Sequence, residues 1–321
     1  MFTHVCGCQV PNNPIYTTAA RDPTELHRTS TGAYRLVDGT ATGTEMWECV
    51  NCTTFEDVTG QNWERVGMFQ ENTEHTPRYW ECPDVFPLLG DNANDAVWVS
   101  KYSNTGDHWF TGHYNETSGK FSPFDWEDRM YDTNKQFYAS KTFLDSRSEP
   151  RRVLWGWLVT PKLDIGAQGA QSVPRVVEAD GEDGNLLVTK PIPEIETLRM
   201  EETHVTTVEG LDTLNGRMMD FVGRPNFDQD ATGCAVRVLS NGGDEYTDII
   251  IPAGTVDVRI LVDSSIVELY LDGGRVATTL FVTIEDWASN GVSLEGGEGC
   301  GWEQVEAWEM KPFEYDASAV M

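Results

Sequence analysis

At 321 residues, with 39% hydrophobic and 11% aromatic side chains including 11 Trp, the chain carries enough apolar surface to build cores and is long for a single one. That excludes wholesale disorder and points to two domains. Its 52 acidic and 23 basic residues leave a formal charge of −29, so nucleic acid and anionic membrane surfaces are not expected partners.

The acid is spread along the chain, as in Glu178, Asp180, Glu182 and Asp183, which reads as a solvated surface rather than an acidic tail. No run approaches the ~18 apolar residues of a membrane span, and residues 1–20 lack the charged-then-apolar order of a signal peptide. Seven cysteines are an odd, sparse set from which no disulfide framework can be asserted. Two glycosylation sequons, Asn51-Cys52-Thr53 and Asn115-Glu116-Thr117, suit a secreted history.

In chain order, Cys6-Gly7-Cys8 with His4, and later Cys49-Val50-Asn51-Cys52, lack the second matched pair of a zinc site and read as ordinary thiols. No metal and no cofactor is expected. Short β-forming segments then recur between turn clusters, as at Ala96–Tyr102, His108–Tyr114 and Phe137–Phe143, with no competing helical period. The chain is expected to be all-β, and turn signals roughly every ten residues suit either a sandwich or propeller blades. Gly166–Asn185, rich in Gly, Asp and small residues, precedes Pro191–Arg199 and suggests a domain boundary near residue 200, giving domains 1–199 and 200–321. Beyond it Val256, Val258, Ile260 and Val262 alternate with Asp257, Arg259, Leu261 and Asp263. Ile266–Leu271 follows, then Asp272-Gly273-Gly274 as a hairpin turn into Arg275–Phe281.

Two motifs set a carboxylate beside proline: Arg21-Asp22-Pro23 and Trp80-Glu81-Cys82-Pro83-Asp84. Each has a plain structural reading. Asp22 with Pro23 next and Glu25 three later fits a helix N-cap, and Glu81 fits a turn. The tripeptide Trp47-Glu48-Cys49 shows that Trp-Glu-Cys occurs twice. The company of these motifs changes the weighing. They are followed by Tyr131-Asp132, then Phe137-Tyr138-Ala139-Ser140-Lys141-Thr142-Phe143, then Arg151-Arg152-Val153-Leu154-Trp155-Gly156-Trp157, then Gln171-Ser172-Val173-Pro174-Arg175.

Taken in order, these segments resemble glycoside hydrolase family 32, the acid invertases, fructan exohydrolases and related β-fructofuranosidases. Arg259 to Glu268 with Gly273-Gly274-Arg275 resembles the family's late signature. The resemblance spans about Asn13 to Trp308 and implies an incomplete five-bladed β-propeller followed by a C-terminal β-sandwich. It implies hydrolysis of a fructoside such as sucrose or a fructan with retention and without a cofactor. By resemblance Glu81 is the general acid/base, preferred to Glu48 because Pro83-Asp84 completes the pattern, and Asp22 is the transition-state stabiliser. Arg21 and Asp132 are candidates to orient sugar hydroxyls, and Trp80 and Tyr138 to wall the pocket. Asp132-Thr133-Asn134 departs from the family's usual Asp-Tyr-Gly, so the pocket's shape is expected to differ.

A retaining glycosidase needs two converging carboxyls about 5 Å apart, one to attack the anomeric carbon and one to protonate the leaving oxygen. The family's nucleophile belongs to a Trp-x-Asn-Asp-Pro-Asn-Gly motif upstream of Arg-Asp-Pro, and it is not found in these 321 residues, whose first side-chain carboxylate is Asp22. Three readings stand: part of a working enzyme, a catalytically inactive carbohydrate-binding protein, and a structural module without sugar function.

Overall fold

Strands form here because β-branched and aromatic residues are concentrated between turn clusters. The one expected at 96–102 begins at Trp98 and runs to Ser103, and those expected at 108–114 and 137–143 lie within Asp107–Asn115 and Phe137–Asp145. The computed structural model describes residues 27–29, 31–40, 43–49, 63–71, 80–88, 96–145, 150–159, 169–180, 185–240, 245–263, 265–281, 291–295 and 299–312. They belong to two compact units, Met1–Leu187 and Val188–Met321.

The first unit holds successive up-and-down sheets, the blades of a β-propeller. β1 (His27–Arg28), β2 (Tyr34–Thr40), β3 (Gly43–Cys49) and β4 (Trp63–Glu71) make the first blade. β5 (Glu81–Pro87), β6 (Trp98–Ser103), β7 (Asp107–Asn115) and β8 (Lys120–Pro123) make the second, with β9 (Arg129–Met130) paired to β7. In the third, β10 (Phe137–Asp145) and β11 (Arg151–Leu158) pair, β12 (Ala170–Gln171) joins β11, and β13 (Arg175–Asp180) and β14 (Leu186–Pro191) follow, β14 running on past Leu187 where the first unit ends.

The first two blades share a core of Val37, Met46, Phe69, Trp80, Val85, Tyr102, Phe110 and Phe121. Trp80 lies flat on Tyr102, with ring centroids 3.9 Å apart and 9° between the planes. Truncating a buried aromatic of this size to Ala typically costs about 3–5 kcal/mol. Gly39 makes the approach possible: a Cβ there would stand 1.7 Å from the Trp80 carbonyl oxygen. The Trp80 N–H in turn donates to the Thr40 carbonyl at 2.9 Å. The residue before Glu81 is thus held both by its ring and by its backbone.

The second unit is a β-sandwich. β15 (Met219–Phe227), β16 (Gly233–Ser240), β17 (Glu245–Pro252), β18 (Val258–Asp263), β19 (Ile266–Leu271), β20 (Val276–Phe281), β21 (Gly291–Glu295) and β22 (Cys300–Glu309) form two sheets. Their orders are β20-β19-β18-β15-β22 and β17-β16-β21. The expected alternation is visible in the core, where Val258, Ile260 and Val262 meet Phe221, Val236 and Ile251. Val256 lies ahead of the strand and is 61% exposed. The Asp272-Gly273-Gly274 turn has positive φ at all three residues, the conformation glycine tolerates best. A disulfide between Cys234 and Cys300 joins β16 of one sheet to β22 of the other. Short 3₁₀ turns at Pro193–Leu198 and Glu201–Thr203 are fastened to β22 and to Met310 just beyond it by the Val205–Ala307 and Arg199–Met310 bridges. Arg199 lies over the Trp308 ring and, with Arg259, answers the buried Asp220.

Candidate active site

The Trp80 anchor leaves Glu81 at the start of β5 with its side chain exposed. Pairing with β6 slips here by one residue, since Glu81 faces Ser103 while Asp84 faces Lys101. The extra residue forms a β-bulge, which bends the strand and re-aims the neighbouring side chain. Cys82 sits in it with φ 45, a costly conformation for a residue other than glycine. The third blade repeats the device. Tyr138 faces Trp157 and Lys141 faces Trp155, again with one residue extra, and Ala139 has φ 51.

The two bulges meet. The Tyr138 hydroxyl donates to Glu81 Oε2. Burial, reinforced by that bond, pushes the Tyr138 phenol well above its usual range, so it stays protonated and remains a donor to the glutamate. Around this pair the two blades are joined by side chains bonding to backbone. Asp84, 1% exposed, accepts at Oδ2 from the Thr142 N–H at 2.7 Å and from its hydroxyl at 2.8 Å. Lys141 Nζ donates to the Pro83 carbonyl at 2.6 Å. Lys101 Nζ donates to the Cys82 and Ser140 carbonyls at 3.1 and 2.6 Å.

Of the residues expected at the site, the structure brings Glu81 and Tyr138 together. Trp80 is 0% exposed and belongs to the core, so it supports the glutamate from behind instead of walling an open pocket. Burying both ring faces, with Tyr102 stacked on one, is what removes it from the surface. Asp132 is also turned inward. At 1% exposure it pairs through Oδ2 with Arg175 at 2.9 Å and accepts at Oδ1 from the Asn134 N–H at 2.9 Å. Its carboxylate therefore faces Arg175, as burial of both charges requires. Arg21 and Asp22 lie outside the described residues.

Sequence reasoning passed over Trp157. Antiparallel partners point to the same side of a sheet, so the Tyr138–Trp157 pairing sets this indole, 42% exposed, beside the phenol. Trp155-Gly156-Trp157 carried the signal, because residues two apart share a face. Gln171 to Arg175 likewise gives no sign in the sequence that Arg175 answers Asp132.

Models of the "Glycosyl hydrolases family 32 N-terminal domain" and "Glycosyl hydrolases family 32 C terminal" match residues 4–191 and 219–309. The acid beta-fructofuranosidase of Vicia faba is 25% identical over 84% of this chain and 56% of its own length. The fructan 6-exohydrolase of Beta vulgaris is 29% identical over 63% and 36%. The chain thus spans about half or less of the length of these curated relatives. Fructan 1-exohydrolase IIa of Cichorium intybus superposes with a TM-score of 0.71 at 20% identity, covering 90% of this chain and 71% of that one. A beta-fructofuranosidase of Bombyx mori superposes at 0.68 and 16%, covering 90% and 65%. At such identities the structural likeness is one of fold.

Proposed function

This chain belongs to glycosyl hydrolase family 32, and we propose that it is the part of a retaining β-fructofuranosidase that carries the general acid/base, Glu81. The supporting observation is an exposed carboxylate on a bulge, gripped by a phenol that stays protonated. Residues 1–199 form the catalytic propeller domain in this reading, and 200–321 the sandwich domain.

Glu81 gives its proton to the leaving oxygen as the bond to the anomeric carbon breaks, and takes one back from the water that releases the fructosyl unit. Tyr138 fixes which carboxyl oxygen faces solvent. Trp157, beside it, offers an apolar face to the part of the substrate beyond the scissile bond. Arg21 and Asp22 bind fructosyl hydroxyls. Asp132 acts on pocket shape through Arg175. The substrate is sucrose or a fructan: fructan stands in the names of two of the relatives, and the Bombyx mori enzyme has a variant structure in complex with sucrose.

The 321 residues hold no Trp-x-Asn-Asp-Pro-Asn-Gly sequence, so this polypeptide by itself is expected to release little or no fructose from sucrose. The test is to fuse a segment bearing that motif ahead of residue 1 and follow glucose release from sucrose. Hydrolysis by the fusion, abolished by Glu81→Gln, supports the proposal. Fructoside binding without hydrolysis in the fusion favours an inactive carbohydrate-binding protein. Rapid turnover by the 321 residues alone, lost in Glu81→Gln, refutes the expectation about the nucleophile.

A further inference from the structure

Lysine is almost never fully buried unless its charge is answered, and Lys101 is 1% exposed. Its ammonium has an acceptor for each hydrogen: the Cys82 carbonyl at 3.1 Å, Ser103 Oγ at 2.9 Å and the Ser140 carbonyl at 2.6 Å. Asp107 completes an ion pair at 3.3 Å and accepts the Ser140 N–H at 2.7 Å through its other oxygen. Cys82 follows Glu81 directly, and Ser140 stands two residues after Tyr138. The two carbonyls therefore belong to the two bulges, on separate sheets.

We propose that Lys101, with Asp107, is a positioning residue for the Glu81–Tyr138 pair, drawing the backbones of two blades to one point so that carboxyl and phenol meet. The inference rests on the reading of Glu81 as the acid/base. Positive φ at Cys82 and Ala139 persists only where the surroundings over-determine it. Charge-assisted bonds from one buried ammonium to both bulges supply that constraint. Asp84 and Lys141 also join these blades, at Thr142 and at the Pro83 carbonyl; Lys101 differs in reaching carbonyls of both bulges from one buried ammonium.

The test is a double-mutant cycle read by NMR on the full chain, with Cζ of all ten tyrosines isotopically labelled and Tyr138 assigned by Tyr138→Phe. In the unaltered chain Glu81→Gln moves the Tyr138 resonance, because a neutral amide replaces the carboxylate acceptor. In Lys101→Met/Asp107→Asn, which leaves no uncompensated charge buried, the same substitution is expected to move it less than half as far. A movement half as large or more overturns the proposal. So does an unmoved resonance in the unaltered chain, since no pair would then exist to position. Should near-ultraviolet dichroism show that the double variant does not fold, Lys101→Arg, whose planar fork cannot reproduce the ammonium's three bonds, is read in the same way. No sugar enters this measurement. Failure of the acid/base reading would appear separately, as hydrolysis by the fusion that Glu81→Gln leaves unchanged.

Discussion

Replacing Asp84 by Ala removes two bonds that cross from β5 to β10. Oδ2 accepts from the Thr142 N–H and hydroxyl at 2.7 and 2.8 Å, while Oδ1 has no hydrogen-bond partner among the described residues. Two bonds to a carboxylate, at roughly 1.5–3 kcal/mol each, sum to about 3–6 kcal/mol; relief of the unanswered oxygen returns about 1–3, leaving a net loss of about 3 kcal/mol. Asp84→Asn keeps both bonds on its carbonyl oxygen at neutral strength and is expected to cost about half as much. Urea unfolding followed by Trp fluorescence measures both, with an unchanged slope showing that the native state stays compact. For a unit of this size the Ala variant should melt about 10 °C lower. A loss below about 1 kcal/mol for Asp84→Ala, or an Asn variant as damaging as Ala, would refute the reasoning.

Two further outcomes are expected. Cys234 and Cys300 close a sequence separation of 66 residues, worth about 4 kcal/mol by chain entropy. The Cys234→Ala/Cys300→Ala variant should lower the sandwich transition accordingly in calorimetry, and an unchanged transition would contradict the bridge. The buried Tyr131 phenol is pushed well above its usual range, by burial first and then by Asp84 and Asp107. The folded state therefore keeps this proton where the unfolded chain loses it, so stability is full below about pH 10 and falls as pH rises beyond it. The Tyr131 hydroxyl has no hydrogen-bond partner among the described residues. Tyr131→Phe should thus leave neutral-pH stability within about 1 kcal/mol and flatten the alkaline fall seen in pH-dependent melting; an unaltered fall would count against it.

Much of the scaffold is legible in the sequence alone, because its signals are local. Val258, Ile260 and Val262 announce their face by spacing alone, and Asp272-Gly273-Gly274 announces its turn by chemistry. Glu81 and Tyr138 were legible through the ordered company of their motifs. What could not be read depends on partners distant in sequence. Trp80 and Asp132 look like pocket residues until Tyr102 and Arg175 are seen to cover them. The bulges at Cys82 and Ala139 use no glycine, so nothing in the residue type marks positive φ. Lys101, in a strand of ordinary composition, reads as a surface lysine until Asp107 and two carbonyls are found around it. Cys234 and Cys300 needed two sheets to be stacked before their pairing was evident.

The ladder between β15 and β22, which pairs Met219 with Glu309 at one end and Phe227 with Cys300 at the other, has a consequence for the order of events at the ribosome. Each blade closes through neighbours in sequence and can form as it emerges, since short loops cost little entropy to close. β15 must wait until some eighty further residues have been made before its outer partner exists. Until then one of its edges stands open, the state in which nascent β-chains are most exposed to mispairing. Translation slowed between residues 227 and 300 would prolong that interval for the sandwich and leave the blades untouched.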